Sequence, residues 1–158
     1  MRLRLFVLVI AALAAVTLPS SVAARATKSQ SGGSGDRQAA AVLGTWSVEV
    51  SPDGQATFPA LLTFTRGGGL IETESDQPGT GQGSWKRVGT DRFALAFRTF
   101  IYSATGTSAG SVLVRTVVTL DGDTLSGPFK FDVSDAARSI VQSGSGTATA
   151  KRFEIPDL

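Results

Sequence analysis

Residues 110–133 read GSVLVRTVVTLDGDTLSGPFKFDV, and this stretch decides the fold class. Apolar and polar side chains alternate on both sides of Asp121-Gly122-Asp123, with the period of two that is typical of half-buried β-strands. Asp-Gly is a preferred tight-turn dipeptide, because both residue types tolerate the positive φ angles that short hairpins need. The stretch therefore predicts an antiparallel β-hairpin.

The same alternation repeats on either side of this hairpin, and no segment keeps a helical period over three turns. The candidate strands are 44–51, 57–65, 70–75, 83–88, 93–99, 110–120, 125–133 and a last strand within 140–155. Eight consecutive strands joined by short turns predict an all-β fold, an eight-stranded antiparallel up-and-down β-barrel, with a β-sandwich as the alternative. A barrel of this size can hold one small ligand.

The N-terminus has the order of a secretory signal peptide. Arg2 and Arg4 precede an apolar run of about 14 residues, and small residues follow it. We expect residues 1–24 to be removed by cleavage after Ala24 or Ala26, so that the protein is secreted or periplasmic. A membrane-spanning helix needs about 20 apolar residues, so no stable membrane anchor is expected.

Composition narrows the rest of the chain. Residues 25–41 are rich in Ser and Gly and predict a flexible leader, and residues 42–158 predict a single barrel domain. The chain has no His and no Cys, which excludes a Ser-His-Asp triad, a histidine metal site and a disulfide. Loss of Arg2 and Arg4 leaves 13 basic residues against 13 acidic ones, or 12 against 13 if cleavage after Ala26 also removes Arg25. Nucleic-acid binding therefore has no electrostatic support. No cofactor is expected either.

Gly44-Thr45-Trp46 near the start of the first strand, together with Arg152 near the end of the last, resembles the signature of lipocalins and their calycin relatives. The resemblance implies a small secreted bacterial barrel with Gly44, Trp46 and Arg152 as structural residues. It also implies that Trp46 packs across the closed end of the barrel with Arg152 over its ring. A guanidinium stacked on an indole is a favourable cation–π contact of about 0.5–2 kcal/mol.

The apolar face of the predicted strands supplies the candidate ligand-binding residues. They are Leu62, Phe64, Phe93, Leu95, Phe97, Phe129 and Phe131. We expect this face, with Trp46, to turn inward, while Gly127 and the alanines of the last strand leave space for a pocket of a few hundred Å³. The alternative is that the aromatic side chains fill the core.

Two sets of charged residues have two interpretations each. Glu72 and Glu74 lie two residues apart on one strand face, as an acid–base pair would, but nothing in the sequence indicates burial, so a solvated outer face is expected. Arg98 and Arg115 would mark an anionic ligand if both pointed inward. We expect them instead to face solvent or to pair with nearby acids.

The leading functional hypothesis is noncatalytic binding of a small hydrophobic molecule inside the barrel. One alternative is an isomerase or cyclase similar to the allene oxide cyclase group, which would need an inward-facing carboxylate or the Tyr102 hydroxyl. Another is an envelope or partner-binding module with a solidly packed interior. The sequence contains no signal for the oligomeric state.

Overall fold

The computed structural model describes residues 40–75 and 77–155, and these residues form eight β-strands. The strands are β1 (Gly44–Pro52), β2 (Phe58–Phe64), β3 (Gly69–Glu74), β4 (Thr80–Arg87), β5 (Arg92–Tyr102), β6 (Ser108–Asp121), β7 (Thr124–Asp135) and β8 (Ile140–Arg152). Each of the eight predicted strands is present. The largest difference at a strand start is in β4, which begins at Thr80 rather than at Gly83.

The strands close into a barrel. Each strand pairs antiparallel with the next along the chain, and β8 pairs back with β1, where Val48 lies opposite Ala150. The predicted up-and-down barrel is confirmed, and the alternative sandwich is not formed. Closure pairs the outer strands with each other, so the sheet presents no open edge to solvent.

The predicted hairpin between β6 and β7 is confirmed. Asp121 pairs with Thr124, which leaves Gly122 and Asp123 as the two turn residues. The φ angle of Gly122 is 55°, a left-handed conformation that Gly adopts without the steric cost of a Cβ atom.

The core occupies the inside of the barrel. Alternate residues of the strands point inward, and the buried apolar ones, apart from Phe129, form one continuous cluster. Burying a large apolar side chain contributes about 1.5–3 kcal/mol. Since the chain has no Cys, this packing and the strand hydrogen bonds hold the barrel together without a disulfide.

The predicted signal peptide, and the predicted leader as far as residue 39, lie outside the described residues. Within the part of the chain that is described, no helix has the length and apolar character needed to cross a bilayer.

Candidate functional site

One end of the barrel, which we call the base, is closed by large side chains. Trp46 and Phe93 are 0% exposed there, and Phe64 is 2% exposed. Trp85 packs edge-on against both phenylalanines, with ring centroids 5.8 Å from Phe64 and 6.0 Å from Phe93. The base is therefore packed as a protein core.

The segment before β1 crosses the base and is fastened there. The Trp46 Nε1 donates a hydrogen bond to the Val42 carbonyl oxygen at 2.9 Å, and Val42 is fully buried. Arg152 donates to the carbonyl oxygens of Leu43 at 3.0 Å and Ala41 at 2.6 Å. Its Cζ atom also lies 4.4 Å from the centroid of the Trp46 ring. Arg152 therefore connects the last strand to the chain on both sides of the β1 start.

The three residues behind the resemblance meet at the base. Gly44 has a φ of 106°, which an L-residue with a Cβ rarely adopts, and a Cβ atom there would lie 3.6 Å from Arg152 Nη1. The backbone conformation at position 44, rather than a steric clash with Arg152, therefore favours glycine there. The Trp46–Arg152 contact has the geometry that the resemblance implied, while membership of the calycin superfamily stays a prediction.

Several apolar side chains of the inward face are more exposed toward the opposite end, which we call the mouth, although Thr99 at the same level is buried. In the middle of the barrel Leu62 and Phe97 are each 9% exposed. At the mouth Val50, Val112 and Ala148 are only half-buried, although they point into the barrel. The interior, which we call the lumen, is therefore closed at the base, and some of its apolar side chains are partly exposed at the mouth.

The seven predicted ligand-binding residues all lie on the inward face, but at three different levels. Phe64 and Phe93 belong to the base. Leu62, Leu95, Phe97 and Phe129 are buried in the middle, and Phe131 is half-buried toward the mouth. The structure brings the middle four and Phe131 to the lumen and leaves the other two in the packed base.

The glycines of β8 make room for two aromatic rings. A Cβ atom at Gly146 would lie 2.7 Å from Cζ of Phe129, and one at Gly144 would overlap the Phe131 ring. The two phenylalanine rings are themselves 6.3 Å apart. The space beside Gly144 and Gly146 is therefore occupied by the two rings.

Glu72 is buried inside the barrel, so the expectation of a solvated outer face was wrong. Glu72 is 2% exposed and lies opposite Leu62 on β2 and Gly81 on β4. The Thr99 hydroxyl, which is also buried, donates a hydrogen bond to Glu72 Oε2 at 3.2 Å. A polar pair therefore lies within an otherwise largely apolar lumen.

Gly81 leaves the space that this pair occupies. A Cβ atom at Gly81 would lie 2.5 Å from Glu72 Oε2, 2.6 Å from Thr99 Oγ1 and 3.0 Å from Cδ2 of Phe97. Real Cβ atoms do not approach other atoms at the first two distances. Strands β3, β4 and β5 thus build one site, in which glycine on the middle strand accommodates the carboxylate and the hydroxyl.

The pairing of β2 with β3 indicates that Glu72 lies on the inward face of the sheet. Phe64 and Leu70 are apolar residues that lie opposite each other across the β2–β3 hairpin, and opposite residues share a face of the sheet. Glu72 is two residues beyond Leu70 and must follow it inward. Ile71, which points the other way, is 45% exposed.

The remaining charged and polar candidates lie nearer the surface. Glu74 shares the inward face of β3 and is half-buried, whereas Tyr102 is 52% exposed. Arg98 is exposed and donates to the Ser111 hydroxyl at 2.6 Å, and Arg115 forms an ion pair with Asp132. The expectation that both arginines face solvent or pair with acids is confirmed.

A groove of about 580 Å³ lies on the outside of the barrel, across strands β8, β1, β2 and β3. Its outward-facing lining includes Ser47, Glu49, Leu61, Thr73, Thr149 and Lys151. Most of its lining residues belong to the outward face, and Val48, Ala60 and Glu74 of the inward face also contribute. Over the described ranges, no three acidic residues are grouped closely enough to hold a metal ion.

No protein-family profile and no curated protein matches the chain. A solved structure of a redesigned β-barrel is similar to it, with 23% sequence identity over 75% of this chain and 96% of that chain and a TM-score of 0.48. At this level the similarity carries no information about function. The barrel fold itself rests on the strand pairing described above.

Proposed function

We propose that this protein is a lipocalin-like carrier that binds a small, mainly apolar molecule in the lumen and works outside the cytoplasm after export. The observation that carries the proposal is that apolar side chains of the inward face, among them Val50, Val112 and Ala148, are only half-buried toward the mouth, whereas the base is sealed. Apolar surface that stays accessible inside a barrel is surface that a ligand can bury.

The apolar area that a ligand buries sets the scale of the expected affinity. Each Å² of apolar surface removed from water contributes about 25 cal/mol, so a ligand that buries about 300 Å² gains roughly 7 to 8 kcal/mol. A micromolar dissociation constant corresponds to about 8 kcal/mol, and the cost of ordering the ligand reduces the gain. A ligand that buries about 300 Å² is therefore expected to bind more weakly than about 1 μM, and micromolar affinity requires a larger buried apolar area.

A titration with the neutral fluorescent probe N-phenyl-1-naphthylamine tests the lumen directly. We expect saturation at one probe per chain, with a change in tryptophan fluorescence. The substitution Ala148→Phe should abolish binding, because residue 148 is inward-facing and half-buried near the mouth. Thr149→Phe is the matched control, since the same side chain is added one residue away on the exposed outer face.

Two outcomes would contradict the proposal. Saturable binding that survives in Ala148→Phe but not in Thr149→Phe would move the site to the outer groove, which Thr149 helps to line. Absence of saturable binding in both the wild type and Thr149→Phe would favour a partner-binding module with a packed interior.

One observation favours a second candidate function, an enzyme that moves a proton on an apolar substrate. The isomerase or cyclase alternative required an inward-facing carboxylate, and Glu72 is one, whereas the Tyr102 hydroxyl is on the exposed surface. A carboxylate within an apolar lumen can remove a proton from carbon next to a carbonyl group and return it at another position.

Exchange in D₂O distinguishes the two candidates. A bound apolar ketone such as 2-decanone is incubated with the protein and analysed by mass spectrometry. A pure binding protein returns the ketone without deuterium beyond the buffer control. Deuterium uptake that is lost in Glu72→Gln would instead assign proton transfer to Glu72.

A further inference from the structure

We propose that the protein docks on an anionic lipid surface through one side of its mouth, where the β5–β6 and β7–β8 hairpins turn. The docking surface, which we call the rim patch, consists of Phe100 and Tyr102 of β5, Ile140 and Val141 of β8, and the turn residue Arg138. The proposal goes beyond ligand binding in the lumen, because it concerns the outer surface of the barrel.

The rim patch exposes four large apolar side chains that lie close together. Phe100 and Tyr102 are each 52% exposed, Ile140 is 64% exposed and Val141 is 49% exposed. Phe100 and Ile140 end one row of paired residues across β5, β6, β7 and β8, with a serine on each of the two middle strands. Since neighbouring strands are about 4.8 Å apart, the two ends of this row are about 15 Å from each other. The four side chains can therefore contact one apolar phase together.

The charge of this region is complementary to an anionic partner. Residues 98–111 and 136–143 contain two basic residues, Arg98 and Arg138, and no acidic residue. Both arginines are exposed. Asp135, which directly precedes the second range, accepts a hydrogen bond at 2.9 Å from a backbone N–H of its own turn. Apolar side chains next to basic ones are the combination with which peripheral proteins bind anionic bilayers.

Arg138 occupies a position where the backbone favours glycine. Among the described residues other than glycine, it alone has a positive φ, of 67°. It lies in a short turn closed by a hydrogen bond of 3.0 Å from the Asp135 N–H to the Ser139 carbonyl oxygen. The left-handed position of such a turn is usually occupied by glycine, because a Cβ atom there lowers stability. An arginine at this position is therefore better explained by its charge on the surface than by the needs of the fold.

The place of the rim patch favours a bilayer over a protein partner. Its residues lie in a turn or within two residues of a strand end, on two neighbouring hairpins at one end of the barrel. A flat surface can therefore meet both hairpins at once. Tyr102 has an apolar ring with a polar hydroxyl, as is typical of side chains at the boundary between lipid and water. Docking in this orientation places the mouth of the barrel against the bilayer, in which apolar molecules dissolve.

Flotation with lipid vesicles tests the proposal. The protein is used without residues 1–24, because their apolar run would itself enter a bilayer, and all eight strands lie within residues 44–152. We expect it to float with vesicles of phosphatidylcholine and phosphatidylglycerol. Binding to vesicles of phosphatidylcholine alone should be about tenfold weaker or more, given the attraction of two arginines to an anionic surface.

Arg138→Gly separates lipid binding from folding. Because the backbone at position 138 favours glycine, the variant should be at least as stable as the wild type, whereas its binding to the anionic vesicles should fall about fivefold. Arg66→Gly is the matched control, since it removes the same charge from the exposed turn between β2 and β3 at the base. The control should change vesicle binding by less than about twofold.

Phe100→Ser tests the apolar part of the rim patch and should weaken vesicle binding about tenfold. Val88→Ser is its control, because Val88 is 47% exposed in the turn between β4 and β5 at the base. Absence of binding to either kind of vesicle would overturn the proposal. Equal binding to both kinds, or equal losses in Arg138→Gly and Arg66→Gly, would also overturn it. Ligand binding in the lumen is measured without vesicles, so failure of one proposal is distinguishable from failure of the other.

Discussion

Arg152 is the residue through which the two ends of the described barrel are joined. Its guanidinium lies over Trp46, donates to two carbonyl oxygens of the segment before β1 and forms an ion pair with Asp123 at 3.4 Å. A planar group with five N–H donors can make these contacts at once, which lysine cannot. The pairing of β8 with β1 at this point is what completes the barrel.

Arg152→Ala should lower the free energy of unfolding by about 2–3 kcal/mol, since it removes charge-assisted hydrogen bonds and a cation–π contact together. Urea denaturation followed by tryptophan fluorescence measures the change. Arg66→Ala, in the exposed turn between β2 and β3, is the control and should stay within about 0.5 kcal/mol of the wild type. Equal effects of the two substitutions would show that Arg152 does not hold the base.

Asp132 makes part of the stability dependent on pH. A hydrogen bond from the Ser143 hydroxyl, at 2.6 Å, and the attraction of Arg115 together lower the pKa of Asp132 below its usual 3.8, against a smaller opposing effect of desolvation. A carboxyl whose pKa is lower in the folded state stabilises the fold above its unfolded pKa. That contribution is lost as the pH falls through the folded pKa.

The expected result is a pH-dependent difference between the wild type and Asp132→Asn. The wild type should be the more stable protein from pH 7 to about 5, and the difference should shrink below about pH 4 as the carboxyl gains a proton. Urea denaturation at several pH values measures this difference in stability. In a protein that already carries Ser143→Ala, the effect of Asp132→Asn should be smaller. A difference that stays constant down to pH 2.5 would contradict the assigned cause.

At the scale of elements, β3 was predicted as a strand, but the face that it turns inward was not. Its existence was predicted from alternation, but alternation alone does not state which of its two faces is inside. Placing Ile71 outward and Glu72 inward opposes the usual preference of each side chain. Pairing with β2 overrides that preference, because a shift by one residue would also turn Leu70 out of the core.

β4 depends on glycine in the same region. Gly81→Ala should destabilise the barrel by about 1–3 kcal/mol, the usual cost of overpacking, because its Cβ atom would collide with Glu72 and Thr99. Gly79→Ala is the matched control, since the nearest atom to its Cβ would be at 3.5 Å, an ordinary contact. Thermal unfolding measures the stability of the two variants. A Gly81→Ala protein as stable as the Gly79→Ala protein would mean that Gly81 does not confine Glu72 and Thr99.

At the scale of the whole molecule, the strand count, the order of the strands and the closure of the barrel could be predicted, because each depends on alternation and on short turns. The division of the inward face into base, middle and mouth could not. Phe93 and Phe97 are both aromatic residues on the same strand face, and only the three-dimensional position of β5 places the first in a sealed base and the second in the lumen.

The proposed function requires the ligand to enter the lumen rather than the outer groove. A crystal structure of the protein soaked with 10-bromo-1-decanol tests this most directly, because anomalous scattering locates the bromine without reference to the protein atoms. One bromine peak is expected inside the barrel, on the side of Phe97 and Phe131. A bromine peak in the groove formed by β8, β1, β2 and β3, or a lumen filled by side chains with no peak, would contradict it.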